Sequence, residues 1–324
     1  MAGKYRAAFF WIVFTAAVFT GCATTVSFKT QQPPVWNTLG IQRLAVMPFT
    51  ATYYSVLQRR TANWLTNEAL KRIKSTDHFT LVNSSEVTRE LTGKGNIENI
   101  ADALFNGQLL YVSVRDRTSR EQKHNKDGAL SYYPLYHREV RMSFDYSLIR
   151  TGGGIAGSNT VRDVTISDSN EIRWNLKSEE VMIQELIKSN MAEIYRYIAP
   201  YTQTEYRRLE KEKSKDKFIK QRAKEAGELV KIGNYKNAQE AFLGVYRDSG
   251  SFASAFNAGL LIEAQGDLDG AAAFMQKMYH ETGNPKFVSE ITRLRKALDD
   301  AELLKAYAEN KEKLSNTVLC KDIW

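Results

Sequence analysis

Few side chains in this sequence are of types that perform chemistry, and their spacing forms no catalytic set. His78 stands beside Asp77, where a capping or surface role is expected, and His124 and His137 flank a polar stretch without a second ligand at metal spacing. The sequence has no Gly-x-Ser-x-Gly, His-Glu-x-x-His or phosphate-binding motif, and the glycines at 152–154 lie between two predicted strands. These residues predict a non-enzyme without metal or cofactor.

The cysteine with the clearest chemistry is Cys22, at the end of an N-terminal targeting segment. Lys4 and Arg6 precede an apolar stretch at 7–19 that has the length of a secretory signal and is too short for a transmembrane helix. The tetrapeptide Phe-Thr-Gly-Cys at 19–22 resembles the lipobox of bacterial lipoproteins, with phenylalanine where leucine is usual. The alternative is a plain signal peptide or anchor with an incidental cysteine.

This resemblance implies a signal peptide at 1–21 and a mature chain that begins at a diacylglycerol-modified Cys22. Acyl chains would anchor the protein to the bilayer without a membrane span. No aspartate follows Cys22, which in lipoproteins implies an outer-membrane location, facing the periplasm. Loss of Lys4 and Arg6 lowers the formal net charge from +8 to +6, which favours acidic partners in a compartment without nucleic acid. Cys320 would then be a lone thiol, either buried or in an intermolecular disulfide.

After a tether at 22–40, residues 41–202 predict a domain of alternating strands and helices. The apolar run at 41–49 is typical of a buried central strand, and residues 139–148 alternate with the period of a half-buried antiparallel strand. Helical spacing follows the first strand, and Asn83 and Ser178 are placed to cap further helices. The order of elements predicts an α/β or α+β fold with helices packed on a mixed sheet.

Three motifs in this domain carry a family resemblance. They are the strand ending in Val-Met-Pro-Phe at 46–49, the segment Ala-Asp-Ala-Leu-Phe-Asn-Gly at 101–107, and the hairpin around Leu-Ile-Arg-Thr-Gly at 148–152. Together they resemble the periplasmic lipoproteins related to CsgG, LpoB and the N-terminal domain of TolB. The turn of that hairpin usually reads Asp-x-x-Thr-Gly, whereas here Arg150 precedes Thr151 and Gly152 and the aspartate is missing. Members range from secretion pores to regulators of cell-wall synthases, so the resemblance implies a fold and leaves the function open.

Residues 203–224 predict a charged helical linker, and residues 225–324 a second, all-helical domain with an internal repeat. Gly-Asn-Tyr-Lys-Asn-Ala at 233–238 recurs as Gly-Asp-Leu-Asp-Gly-Ala at 266–271, an offset of 33 residues that is close to a tetratricopeptide repeat. A helix at 286–315 would cap the stack, and the alternative is a generic pair of helical hairpins. The predicted repeat-packing residues are Gly233, Ala238, Phe242, Gly259, Gly266 and Ala271.

The segment at 117–136 predicts a long loop that is charged in its first half and aromatic in its second. Tyr132, Tyr133 and Tyr136 are candidates for contact with a partner, whereas the alternative is a strand extension that packs its tyrosines. In CsgG-like pores the equivalent region would supply a membrane-crossing hairpin. Residues 117–128 are too charged for the outer face of such a hairpin.

These features predict a membrane-anchored, non-catalytic adaptor or scaffold of the bacterial cell envelope. The lipid bilayer would be bound through acylated Cys22, and the repeats would bind an unidentified envelope protein. The alternative is an oligomeric outer-membrane secretion channel of the CsgG type. The oligomeric state and the identity of the partner stay open in the sequence.

Overall fold

The computed structural model describes residues 24–124 and 127–319, with side chains up to residue 312. The predicted signal peptide at 1–21, Cys22 and Cys320 lie outside these described residues. The elements in chain order are β1 (Thr25–Gln32), β2 (Arg43–Val46), β3 (Thr50–Ala51), α1 (Val56–Lys74), β4 (Thr80–Val82), α2 (Ser84–Thr92), β5 (Ala103–His124), β6 (Leu130–Arg150), β7 (Ile155–Asn170), α3 (Glu179–Asn190), α4 (Ile194–Ile198), β8 (Tyr201–Arg208), α5 (Lys217–Lys231), α6 (Tyr235–Ser249), α7 (Phe252–Ala264), α8 (Leu268–Thr282) and α9 (Lys286–Leu319).

The described residues cluster into two compact units. One, called the sheet unit, comprises residues 29–203 and 296–319, and the other, called the helical unit, comprises residues 24–28 and 204–295. The sequence predicts residues 296–319 to belong with the repeats, whereas in the structure they cluster with the sheet unit. β1 and β8, which form a two-stranded sheet of their own, lie in the predicted tether and the predicted linker.

The sheet unit contains a mixed sheet of six strands. β2 lies between β4 and β5 and is parallel to both, and β5, β6 and β7 continue the sheet as an antiparallel meander, while β3 pairs with β5. Leu44, Ala45 and Val46 are buried, as expected of a central strand. In β6 the alternate residues from Val140 to Leu148 are buried against the helices. The predicted fold class, an α/β domain with a mixed sheet followed by packed helices, is confirmed.

Helix caps in the sheet unit form where the sequence predicts them. The side chain of Asn83 accepts a hydrogen bond from the Ser85 amide at the start of α2, and Ser178 accepts one from the Val181 amide at the start of α3. Asn96 caps a 3₁₀ turn over Ile97–Asn99, where its side chain accepts a hydrogen bond from the Glu98 amide. The helix that Ser178 caps is α3, and α4 follows it as a separate short helix.

The core of the sheet unit depends on one close approach of a side chain to the backbone. Trp36 packs with Tyr146 and Tyr197 at ring-centroid distances of 5.9 and 5.3 Å. It also lies flat against Gly157 of β7, where a Cβ atom would be 2.2 Å from Cγ of the indole. Because no side chain can approach a ring to that distance, the indole can cover this end of the sheet only over a glycine.

The segment at 117–136 forms an extension of two strands, which the sequence offers as the alternative to a long loop. β5 and β6 pair without interruption from Arg117 and His137 to His124 and Leu130, whereas β7 ends at Asn170, opposite Tyr136. Residues 119–124 and 130–135 therefore form a two-stranded arm beyond the third strand. Its backbone hydrogen bonds are made across the hairpin, so the strands form without a buried apolar face.

Consecutive helices of the helical unit pack against one another with the predicted 33-residue period. Asn234 caps α6 and Asp267 caps α8, and Gly250 and Gly283 end these helices in the left-handed conformation. Their core positions repeat at the same offset, since Ala238 and Ala271, Phe242 and Met275, and Val245 and Met278 are all buried. The repeat in the sequence is thus also a repeat of local structure.

The final helix, α9, contributes to both units. Phe287, Ile291 and Leu294 are buried in the core of the helical unit. Further along, Tyr307 is buried within the sheet unit, where its hydroxyl accepts a hydrogen bond from the Thr38 amide at 3.1 Å. The sequence predicts only the first of these roles, the cap on the repeats.

Candidate functional site

A groove with a volume of about 910 Å³ lies in the helical unit. Its floor is apolar and comes from small side chains of α5 and α7 together with Phe242 of α6. Its rim is charged. The lining residues are Thr24, Arg208, Leu209, Glu210, Lys211, Glu212, Lys220, Ala223, Lys224, Gly227, Glu228, Phe242, Ala253, Ser254 and Asn257. A volume of this size lies within the range of about 300–1,000 Å³ that is usual for ligand sites.

One wall of the groove is an irregular stretch of the chain itself, residues 209–212, called here the wall segment. Asn257 of α7 holds it by the backbone: its Oδ1 accepts from the Glu210 amide at 2.7 Å, and its Nδ2 donates to the Glu210 carbonyl at 2.9 Å. Asn257 is only 2% exposed, so both hydrogen bonds are shielded from water. An amide side chain that pairs with both main-chain groups of one residue can hold backbone of any sequence.

The side chains of the wall segment are engaged by the helices behind it. Leu209 is buried in the core of the helical unit, and its amide donates to the Thr24 carbonyl at 3.0 Å. The Glu210 carboxylate pairs with Nζ of Lys286 at 2.5 Å. The Glu212 carboxylate accepts hydrogen bonds from the hydroxyls of Ser251 and Ser254. The negative charges of this wall are therefore already partnered.

Basic side chains of α5 and of the wall segment also line the groove. Lys220 and Lys224 lie one turn apart on α5, and Lys211 belongs to the wall segment. None of these three lysines forms a salt bridge with any carboxylate in the described part of the chain. Glu228, the remaining acidic residue of the lining, pairs with Lys231 at 2.7 Å. Glu212 is therefore the one lining carboxylate without a cationic partner among the described residues, and three unpaired lysines surround the same groove.

A buried ion-pair cluster fixes the chain just before the wall segment. Glu263 of α7, 3% exposed, accepts from Arg293 at 2.5 Å and from Arg207 of β8 at 3.3 Å. Burial by itself lowers the pKa of Arg293, but its hydrogen bonds and ion pairs with Glu263 and Glu290 outweigh this effect and raise it. Removal of Glu263 would leave two poorly solvated guanidinium groups with one carboxylate partner each, Glu205 for Arg207 and Glu290 for Arg293.

The predicted repeat residues mainly support the packing behind the groove. Gly233 and Gly266 have φ of +76° and +89°, which favours glycine in these turns. Gly259 allows close approach of α8, because a Cβ atom there would be 2.4 Å from the Met275 methyl group. Ala238 and Ala271 are fully buried. Only Phe242 of this set lines the groove.

Asn257 was not among the predicted site residues, although the sequence contains a signal for it. It stands in the middle of Phe-Ala-Ser-Ala-Phe-Asn-Ala-Gly-Leu-Leu-Ile, the most apolar helix of the repeats. An amide in such surroundings is buried and needs hydrogen-bond partners that its own helix does not supply.

The three predicted contact tyrosines lie on the arm but do not share one face. Tyr132 is 67% exposed and its hydroxyl accepts from Gln122 at 3.3 Å. Tyr132 and Tyr136 point to one side of the hairpin, whereas Tyr133 points to the other because side chains alternate along a strand. The structure therefore forms no cluster from these three side chains.

Within the described ranges, no group of three or more His, Cys, Asp or Glu side chains could hold a metal ion. His78 packs edge-on to Phe79 and lies 5.8 Å from the ring of Tyr307. Burial lowers the pKa of His78, and the positive charge of Lys311 lowers it further. Across the described residues, no helix has both the length and the apolar character needed to cross a membrane.

Comparisons with known proteins find similarity only among solved structures. No protein-family model matches the chain, and no curated protein matches it. Similar structures include the PelC dodecamer from Paraburkholderia phytofirmans, at 12% identity and a TM-score of 0.27 over 54% of this chain and 98% of PelC. A minor lipoprotein from Acinetobacter baumannii is similar at 12% identity and a TM-score of 0.25, over 50% of this chain and 92% of its own.

Proposed function

We propose that this protein is a membrane-anchored, non-catalytic adaptor of the bacterial cell envelope, whose groove binds an extended segment of a partner protein. Acylated Cys22 would anchor it to the outer membrane, facing the periplasm. The helical unit would hold one envelope partner, and the sheet unit with its arm would dock a second. The mechanism is recruitment: the anchor sets the location, and the groove selects what is brought there.

The observation that carries this proposal is the hold of Asn257 on the wall segment. The groove already accommodates backbone outside any helix, and space for a further segment remains between this wall and α5. An apolar floor with a few placed polar groups is the usual composition of a peptide-binding groove.

Photo-cross-linking from the groove in intact cells tests the proposal. A photoreactive phenylalanine analogue is placed at Lys211, at Glu228, or as a control at Lys236, an exposed residue of α6 outside the groove. The same envelope protein is expected in adducts from the first two positions and not from the third. Adducts of equal yield from all three positions, or none from the groove, would contradict the proposal.

The anchoring part has its own test. Cys22→Ser is expected to abolish labelling by a clickable palmitate analogue and to move the protein from the membrane to the soluble periplasmic fraction. The cross-linked adduct should be lost with it, because an unanchored adaptor no longer meets its partner at the membrane. Retention of label and location in Cys22→Ser would refute anchoring through this residue.

A further inference from the structure

The charges in the groove indicate the chemistry of the segment that it binds. Of the lining carboxylates, Glu210 and Glu228 are paired with lysines, whereas Glu212 is hydrogen-bonded by two serine hydroxyls and keeps its negative charge. Lys220 and Lys224, like Lys211, line the groove without a salt bridge among the described residues. Three unpaired lysines against one unpaired carboxylate give an occupant of the groove a net positive surrounding. Charge complementarity therefore favours an acidic segment.

The spacing of the two lysines restricts the arrangement of the acidic residues. Residues four apart on a helix are neighbours on one face, separated along the axis by about 6 Å. In an extended chain, side chains two residues apart point to the same side and are about 6.6 Å apart. Two carboxylates at alternate positions of an extended segment therefore match Lys220 and Lys224, whereas adjacent carboxylates point to opposite sides and cannot reach both.

We propose that the groove binds an extended segment of a partner protein in which two carboxylates stand two residues apart and pair with Lys220 and Lys224. The segment lies between α5 and the wall segment, over the floor formed by Ala223, Gly227 and Phe242. This inference rests on the proposed function and adds the chemical class of the bound segment to it.

Fluorescence anisotropy with synthetic peptides tests this inference on the full-length, detergent-extracted protein. The probe is a labelled nonapeptide with glutamates at alternate positions and leucines between them. One comparison peptide has glutamine for every glutamate, and another has the same composition with the glutamates adjacent in pairs. We expect the alternating acidic peptide to bind at least about tenfold more tightly than the glutamine peptide, and to weaken as salt is raised from about 50 to 200 mM.

Charge-reversal variants locate the binding. Lys220→Glu combined with Lys224→Glu is expected to weaken the alternating peptide at least about tenfold, because two attractions become two repulsions. The matched control combines Lys217→Glu with Lys236→Glu, which changes the net charge equally at exposed residues outside the groove and is expected to stay within about twofold. Equal loss in both double variants would show general attraction to a basic protein and would overturn the proposal.

The peptide series also separates this inference from the proposed function. If the glutamine peptide binds as tightly as the acidic one and the groove variant changes neither, the preference for carboxylates is refuted while peptide binding by the protein stands. If the paired-glutamate peptide binds as tightly as the alternating one, the match to Lys220 and Lys224 is refuted. If none of the peptides binds, the inference falls, and the cross-linking from the groove in cells decides the proposed function independently.

Discussion

Replacement of Asn257 by alanine is the most direct perturbation of the groove, because it removes the hold on the wall segment and little else. The change deletes two hydrogen bonds, of 2.7 and 2.9 Å, to the backbone of Glu210. Each contributes about 1 kcal/mol net, and the gain from alanine as a better helix former is about 0.5 kcal/mol. The free energy of unfolding of the helical unit should therefore fall by about 2 kcal/mol, since a partly buried amide and carbonyl are also left without partners.

Urea unfolding followed by circular dichroism measures this loss, and hydrogen exchange followed by mass spectrometry measures the release of the wall segment. A loss of about 2 kcal/mol corresponds to roughly 30-fold faster exchange through local opening, confined to peptides that contain Glu210. Asn237→Ala, at an exposed position of α6, is the matched control and should change stability by less than about 0.5 kcal/mol. Unchanged exchange at Glu210 in Asn257→Ala would refute the assignment of Asn257 as the residue that positions this wall.

Three further predictions concern the ion-pair cluster, the histidine under α9, and the assembly. Glu263→Gln should destabilise the helical unit by about 2–4 kcal/mol in urea unfolding, because its two arginine partners lose a buried counter-ion; a change like that of exposed Glu240→Gln would contradict this. The pKa of His78 in the folded protein lies below its ordinary 6.5, so as the pH falls this histidine is protonated in the unfolded protein before it is protonated in the folded one. The free energy of unfolding of the sheet unit should then be highest above pH 6.5 and should fall as the pH drops through 6.5 towards the lowered pKa of folded His78. His78→Phe should reduce this loss of stability between pH 8 and 5. An identical loss in both proteins would exclude His78 as its source. Light scattering of the detergent-extracted protein should give a monomer or dimer, and a ring of many copies would instead support the channel alternative.

Local structure was largely predictable because it depends on residues close in sequence. The caps at Asn83 and Ser178 require only a side chain within two or three residues of the amides that it accepts from. The alternation along β6 identifies its buried face, since successive side chains of a strand point to opposite sides. The glycines at 233 and 266 mark the 33-residue period because each occupies a left-handed turn before a helix.

The sequence left the arm formed by β5 and β6 open between a loop and a strand extension, and the reason is physical. Residues 117 to 124 have no alternation of apolar and polar side chains, so the sequence carries no sign of a strand there. Their extended conformation depends on hydrogen bonds to the facing strand. This pairing joins residues that are far apart in the hairpin, and neither strand by itself has a sequence pattern that predicts it. The separation of Tyr133 from Tyr132 and Tyr136 follows once the strand is known.

The groove and the second role of α9 were hidden in the sequence for the same kind of reason. Asn257 and Glu210 are 47 residues apart, and Tyr307 and Thr38 are 269 residues apart, so neither pair has a local pattern that connects its members. The segment at 203–224 is charged throughout, and composition alone favoured a solvated helix. In the structure it is part of β8, then the wall of the groove, and only then the start of α5.

The sequence by itself determined the elements and the class of fold, because apolar periodicity, caps and turn glycines act over a few residues. Only the tertiary structure decided that Lys220 and Lys224 line a groove, that Glu210 of the wall segment is paired with Lys286, and that Asn257 holds this wall segment. These are relations between distant parts of the chain, and burial and hydrogen bonding create them only when packing brings those parts together.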